Sequence, residues 1–168
     1  MSERLALWLI RPLLTSLWGA LFLSIVAAPY FATHSHPGLS SFLYLAFSPM
    51  CHQLPARCFT LMGASWAVCQ RCSGIYLGLL VGSILPRMDF ASSPRRRKFV
   101  LAATASLALD ALMPLSGVWG NTQVSRSASG FLFGIALSMV FLEGLAELLP
   151  GRLRCWPARS SKVEGVMP

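Results

Sequence analysis

Residues 13–32 read LLTSLWGALFLSIVAAPYFA, a run of twenty residues without a charged side chain. A helix needs about 20 such residues to cross the hydrocarbon core of a bilayer, which is about 30 Å thick. Arg4 and Arg11 precede the run, and a polar turn at residues 33–40 follows it. A cleaved signal peptide is the alternative, but its apolar segment is usually shorter. The stretch therefore predicts a retained membrane-spanning helix.

Further apolar runs support the same class of protein. Of the 168 residues, 55% are apolar and 12% are charged, and the mean hydropathy is +0.60. Candidate spans cover residues 67–85, 99–115 and 130–149, whereas residues 41–50 are too short to cross and contain Pro49. This short segment predicts a re-entrant or interfacial piece.

We therefore predict an all-α integral membrane bundle of about four transmembrane helices plus this short segment. The bundle forms a single domain over residues 1–150, and residues 151–168 form a basic, disordered cytoplasmic tail. Tight packing along a glycine face at Gly74, Gly78 and Gly82 is expected, and a homo-oligomer is possible.

The distribution of positive charge predicts the orientation, because short loops rich in Lys and Arg stay in the cytoplasm. With both termini inside, only Arg57, Arg71 and Arg126 of the fourteen Lys and Arg residues lie outside. This predicts a multi-pass protein of the cell (inner) membrane. The net charge of +8 is then explained by topology and by anionic headgroups of the lipid bilayer near residues 95–98. Nucleic-acid binding is not expected, since no recognition motif accompanies the charge.

Four of the five cysteines fall on the predicted outer side, while Cys155 falls in the tail. A Cys-x-x-Cys segment lets two sulfurs converge on one ion, and a ligand from a distant loop can complete the site. We therefore predict a zinc or iron site whose ligands are Cys51, His52, Cys69 and Cys72. Adjacent side chains in an extended chain point apart, so His52 is alternatively a neighbour of the ligands, with Cys58 as the fourth ligand.

Two other interpretations of the same cysteines stay open. Cys69 and Cys72 at the start of a helix suit a redox pair, because the helix N-terminus lowers a thiolate pKa. With Cys51 and Cys58 as a second pair, the protein would be a thiol-disulfide oxidoreductase that passes electrons to a membrane quinone. Alternatively, two structural disulfides staple the outer loop of a membrane or transport component. The residues do not name a substrate.

Two segments, FSPMCHQ at residues 47–53 and VCQRCSGIYLG at residues 68–78, carry a resemblance. Their Cys-His-Gln and Cys-x-Arg-Cys-x-Gly-Ile-Tyr-x-Gly motifs are similar to the signature of a family of small prokaryotic membrane proteins built on a domain of unknown function. The similarity covers roughly residues 42–135, and it implies a multi-helix membrane protein without an assigned activity. In that family a serine usually stands at the position of Cys58, which implies a shared core of Cys51, His52, Cys69 and Cys72.

Asp110 is an ionisable residue inside a candidate span, and such residues are functional candidates. One interpretation is a structural ion pair with Arg126 or Arg57 that locks an outer loop over the bundle. The other is a polar pocket near the thiols that binds a headgroup or a polar ligand. The residues assigned to this pocket are Gln53, Arg57, Arg71, Asp110, Gln123 and Arg126.

Overall fold

The computed structural model describes residues 3–34, 36–85, 94–116 and 120–148. Its helices are α1 (Glu3–Thr33), α2 (Pro37–Phe47), α3 (Gln70–Ile84), α4 (Pro94–Leu112) and α5 (Gln123–Leu148). Short 3-10 helices occupy Pro55–Arg57 and Met113–Ser116, and an antiparallel hairpin joins β1 (Cys58–Leu61) to β2 (Ala64–Cys69). The fold is mostly helical, as predicted, but the hairpin corrects the all-α expectation. The predicted tail at residues 151–168 lies outside the described residues.

Within the described residues, two helices are long and apolar enough to cross a membrane. They are Ile10–Thr33 in α1 and Gln123–Leu142 in α5. The helix predicted from residue 67 begins later, at Gln70, because residues 64–69 form β2. The fifteen residues of α3 measure about 22 Å, which is shorter than the hydrocarbon core of about 30 Å.

Among the described helices, α3 and α5 pack together most closely. The two helices run in the same direction, and glycines on both let their backbones approach. A Cβ added at Gly78 would lie 2.9 Å from the Gly134 Cα, and one at Gly82 would lie 2.6 Å from the Ser138 Oγ. Carbon atoms normally pack at about 3.5–4.0 Å, so neither position has room for a side chain. The predicted glycine face of α3 is therefore an internal helix contact.

The C-terminal half of α1 packs against α2 and the hairpin. The Ser40 hydroxyl donates to the Ala28 carbonyl at 3.0 Å, and the Phe22 and Trp66 rings meet edge to face. An apolar core joins these elements, and its buried members are Ile25, Ala28, Phe47, Cys51, Ala67 and Val68. Apolar packing thus brings the end of α2 and the end of β2 to the same side of α1.

A two-residue turn closes the hairpin. Leu61 pairs with Ala64, and the two intervening residues, Met62 and Gly63, have φ angles of 53° and 84°. Positive φ at both central positions is the type I′ pattern, whose twist suits a tight antiparallel hairpin. Glycine adopts this backbone without a Cβ clash, whereas Met62 does so at a cost. The turn directs β2 back toward α3.

Candidate thiol site

Three cysteine sulfurs converge beside the start of α3. The Sγ atoms of Cys51, Cys69 and Cys72 all lie within 4.8 Å of one another. Two sulfurs bound to one tetrahedral zinc ion at 2.3 Å would be about 3.8 Å apart. Small side-chain movements would therefore bring the three sulfurs to ligand distances. The Cys-x-x-Cys segment supplies two of the thiols, and the chain after α2 supplies the third.

The end of α2 positions Cys51. The Cys51 N–H donates to the Phe47 carbonyl at 3.1 Å, so the chain stays against the last turn of the helix. Gln53 has a φ of 50° and reverses the chain, while its Nε2 donates to the Tyr44 carbonyl at 2.7 Å. The last four carbonyls of a helix lack partners within it, and Gln53 satisfies one of them. In the Cys-His-Gln motif, the glutamine therefore fixes the turn that carries Cys51.

The first turn of α3 positions the other two thiols. Cys69 is the N-cap residue, and its N–H donates to the Cys51 Sγ with 3.2 Å between nitrogen and sulfur. The Ser73 hydroxyl donates to the Cys69 carbonyl at 3.1 Å. Because residues three apart lie on one face of a helical turn, Cys72 projects toward the same point as Cys69. The backbone of Cys69 thus links both chain segments of the site.

Hydrogen bonds stabilise a thiolate at Cys69. The pKa of Cys69 is lowered to about 5, and the largest cause is the hydrogen bond from the Cys72 side chain. The backbone N–H groups of Cys72 and Arg71 and a contact to Cys51 lower the pKa further, while burial of Cys69 opposes them. The N-terminal partial charge of α3 acts in the same direction. Cys69 is therefore ionised at neutral pH, as a metal ligand or a nucleophile needs to be.

Cys58 lies next to this cluster but is a different kind of thiol. It is buried and pairs across the hairpin with Cys69, beside an irregularity in the strand register. Burial, and then the charges of Cys51 and Cys69, raise the pKa of Cys58 to about 11. Its sulfur is not one of the three that converge. Cys58 is therefore a protonated neighbour at neutral pH.

His52 is exposed and does not join the three converging sulfurs, although it was predicted as a ligand. Its place beside Cys51 explains this, because successive side chains of an extended segment point in different directions. The exposed His52 ring is a neighbour of the site in sequence, as the residue after Cys51. A ligand role for His52 would require the ring to turn toward the sulfurs.

Asp110 forms its ion pair with Arg71, the residue inside the Cys-x-x-Cys segment. The Arg71 Nη2 lies 2.5 Å from the Asp110 Oδ2 and 3.2 Å from the Asp110 carbonyl, to which the Asn121 side chain also donates. These donors cap the end of α4, whose last carbonyls need partners. One side chain thus connects the first turn of α3 to the end of α4.

The other residues of the predicted pocket have separate positions. Gln53 caps α2, Arg57 is exposed in its 3-10 helix, and Gln123 is exposed at the first residue of α5. Arg126 is half-buried one turn further along α5. Neither Arg57 nor Arg126 forms an ion pair with Asp110 in the described part of the chain. The partner proposed for Asp110 from the sequence is corrected to Arg71.

Two neighbours of the thiols were missed in the sequence. Gln70 is only 1% exposed, and its Nε2 donates to the Cys58 carbonyl at 3.5 Å, while its Oε1 has no partner among the described residues. The Tyr76 hydroxyl donates to the Met50 sulfur at 3.2 Å. Helical spacing places Tyr76 one turn after Cys72, which was a usable signal. No signal in the sequence indicated that Gln70 is buried beside the thiols, because polar residues at a helix start are usually exposed.

Comparison with known proteins assigns the chain to a family without a described activity. The family model described as "Predicted membrane protein (DUF2085)" matches residues 51–140, which include all three converging cysteines. No solved structure matches the chain.

Two archaeal relatives are both uncharacterized proteins. The one from Methanocaldococcus jannaschii is 33% identical over 137 residues, which cover 76% of this chain and 87% of the relative. The one from Methanothermobacter thermautotrophicus is 29% identical over 100 residues, which cover 57% of this chain and 87% of the relative. With a family model over more than half of its length and a relative above 30% identity, the chain belongs to the DUF2085 family of predicted membrane proteins.

Proposed function

We propose that this membrane protein binds a zinc or iron ion through Cys51, Cys69 and Cys72. The observation that carries the proposal is the convergence of three sulfurs from two chain segments within 4.8 Å. Thiolates are the ligands that select zinc and iron sites in proteins. Cys69, with its pKa lowered to about 5 chiefly by the Cys72 hydrogen bond, is ready to bind, and Cys72, whose pKa is raised, would release its proton on binding.

The fourth position of this site is open to an exchangeable ligand. Structural zinc sites are closed by four protein ligands, whereas catalytic ones keep three and admit water or substrate at the fourth. Three converging thiols beside an exposed His52 fit the second class better. The site therefore suits an ion that reacts or is passed on.

The proposed setting is the outer side of the inner membrane, with both termini cytoplasmic. The candidate spans in α1 and α5 support a membrane location for the bundle. In the proposed four-helix arrangement, α3 and α4 would be the remaining crossings. A homo-oligomer is compatible with the exposed surface of α4, where Ala103 is the only buried residue among those described.

A second candidate function is thiol-disulfide exchange with a membrane quinone as electron acceptor. The asymmetry of the Cys69 and Cys72 pair favours it, since Cys72 donates a hydrogen bond to a stabilised thiolate at Cys69. A substrate dithiol would reduce the Cys69–Cys72 disulfide through a mixed disulfide and would leave as a substrate disulfide. The resulting Cys69 thiolate and Cys72 thiol would return to the disulfide by passing two electrons to the quinone, which takes one proton from Cys72 and one from solvent. A bound metal and this pair use the same sulfurs, so the two functions exclude each other in one molecule.

Elemental analysis with thiol counting tests the proposal. Protein purified in mild detergent without chelator should carry about one zinc or iron ion per chain, and Cys72→Ser should lose it. The matched control is Cys58→Ser, which removes a nearby buried thiol outside the cluster and should keep the metal.

The opposite result has a clear meaning. Metal-free wild-type protein with a disulfide between Cys69 and Cys72 would overturn the metal proposal. Reduction of a soluble quinone by the dithiol form, lost in Cys72→Ser, would then establish the redox function. A stable disulfide that no quinone affects would leave a structural role.

A further inference from the structure

Helix α2 runs back along α1 instead of lying across its end. The His36 N–H donates to the Phe31 carbonyl at 3.4 Å, and the Ser40 hydroxyl donates to the Ala28 carbonyl at 3.0 Å. At the far end of α2, Phe47 packs in the same buried cluster as Ile25. Partners on α1 therefore move to lower numbers as α2 advances, which makes the two helices antiparallel.

This path carries α2 into the depth of the candidate span. The span in α1 is Ile10–Thr33, so Ile25 lies eight residues from its outer end, or about 12 Å along the axis. The eleven residues of α2 cover about 16 Å, roughly half of a hydrocarbon core of about 30 Å. If α1 crosses the bilayer, α2 enters it without crossing.

The free face of α2 is apolar. Leu39, Phe42 and Leu45 are 46%, 64% and 70% exposed, and α2 contains no charged residue. Their spacing of three places them on one side, away from Ser40 and Phe47, which pack inward. Exposed leucines such as Leu17 and Leu23 occur on the neighbouring span as well. The two helices therefore present the same chemistry to their surroundings.

We propose that α2 is a re-entrant helix whose Leu39, Phe42 and Leu45 face contacts acyl chains of the outer leaflet. A continuous apolar surface shared with a spanning helix favours lipid over water or a soluble partner. The inference rests on α1 crossing the membrane and does not depend on whether the thiols bind a metal.

Photocrosslinking in phospholipid nanodiscs tests the lipid contact. We expect p-benzoylphenylalanine at position 42 to give a peptide adduct with the mass of one phospholipid. The matched control places the same residue at position 57, where the native Arg57 is exposed and charged. Equal lipid adduct at both positions, no lipid adduct at position 42, or an adduct there to a second protein copy would overturn the proposal.

Discussion

Replacing Gly78 by alanine should push α3 away from α5, the helix that holds α3 and its thiol-bearing first turn in place. The added Cβ would lie 2.9 Å from the Gly134 Cα and would also meet the Phe131 carbonyl. Because carbons pack at about 3.5 Å or more, α3 and α5 would need to move apart by at least about 0.6 Å. The neighbouring atoms are backbone, so no side chain can rotate away.

The expected loss in free energy of unfolding is about 2 kcal/mol. Overpacking usually costs about 1–3 kcal/mol, and it must also exceed the gain of up to about 1 kcal/mol that alanine brings to a helix. For a chain of this size, such a loss lowers the Tm by roughly 4 to 8 °C. Tryptophan fluorescence during heating in mild detergent measures this change, since the chain has five tryptophans.

The matched control is Gly144→Ala, the same substitution in α5. A Cβ at Gly144 would have no atom within 4 Å, so alanine should leave the Tm unchanged or raise it slightly. If Gly78→Ala melts at or above the wild-type temperature, the close contact between α3 and α5 is not a feature of the folded protein. A loss of similar size in both variants would also refute the reasoning.

Two further predictions concern the residues around the thiols. Asp110→Asn keeps the shape of the side chain but leaves the Arg71 guanidinium, which is 26% exposed, without its counter-charge. The free energy of unfolding should therefore fall by about 2 kcal/mol. Arg126→Gln is the control, because it breaks no ion pair in the described part of the chain and should cost less. The lowered pKa of Cys69 makes its stabilising contribution complete above pH 9.0 and lost as the pH falls through about 5. As the pH is lowered between these values, the Tm of metal-free wild-type protein should therefore drop more than that of Cys69→Ser. Cys58→Ser should behave as the wild type. Equal slopes of Tm against pH in all three proteins would contradict a thiolate at Cys69.

Local features of the sequence predicted the long helices. The uncharged run at residues 13–32 lies within α1, and the run at residues 130–149 overlaps α5 in its described part. The glycine spacing predicted close packing, which the α3–α5 contact confirms. The hairpin was missed because Met62 is not a typical residue for a positive φ, although Gly63 beside it was an available turn signal.

The sequence by itself determined the class of the protein, the positions of its main helices and the pairing of Cys69 with Cys72, because hydropathy and helical spacing act over neighbouring residues. It also predicted Cys51 in the same site, eighteen residues away, but left open whether His52 or Cys58 joins it. Which of these side chains converges with Cys69 and Cys72 depends on α2 turning back along α1 and on the hairpin returning the chain. Only the tertiary structure selected Arg71 as the partner of Asp110, because the fold brings the end of α4 within reach of the Arg71 side chain at the start of α3. Contacts between distant segments depend on how the whole chain packs, which no short stretch encodes.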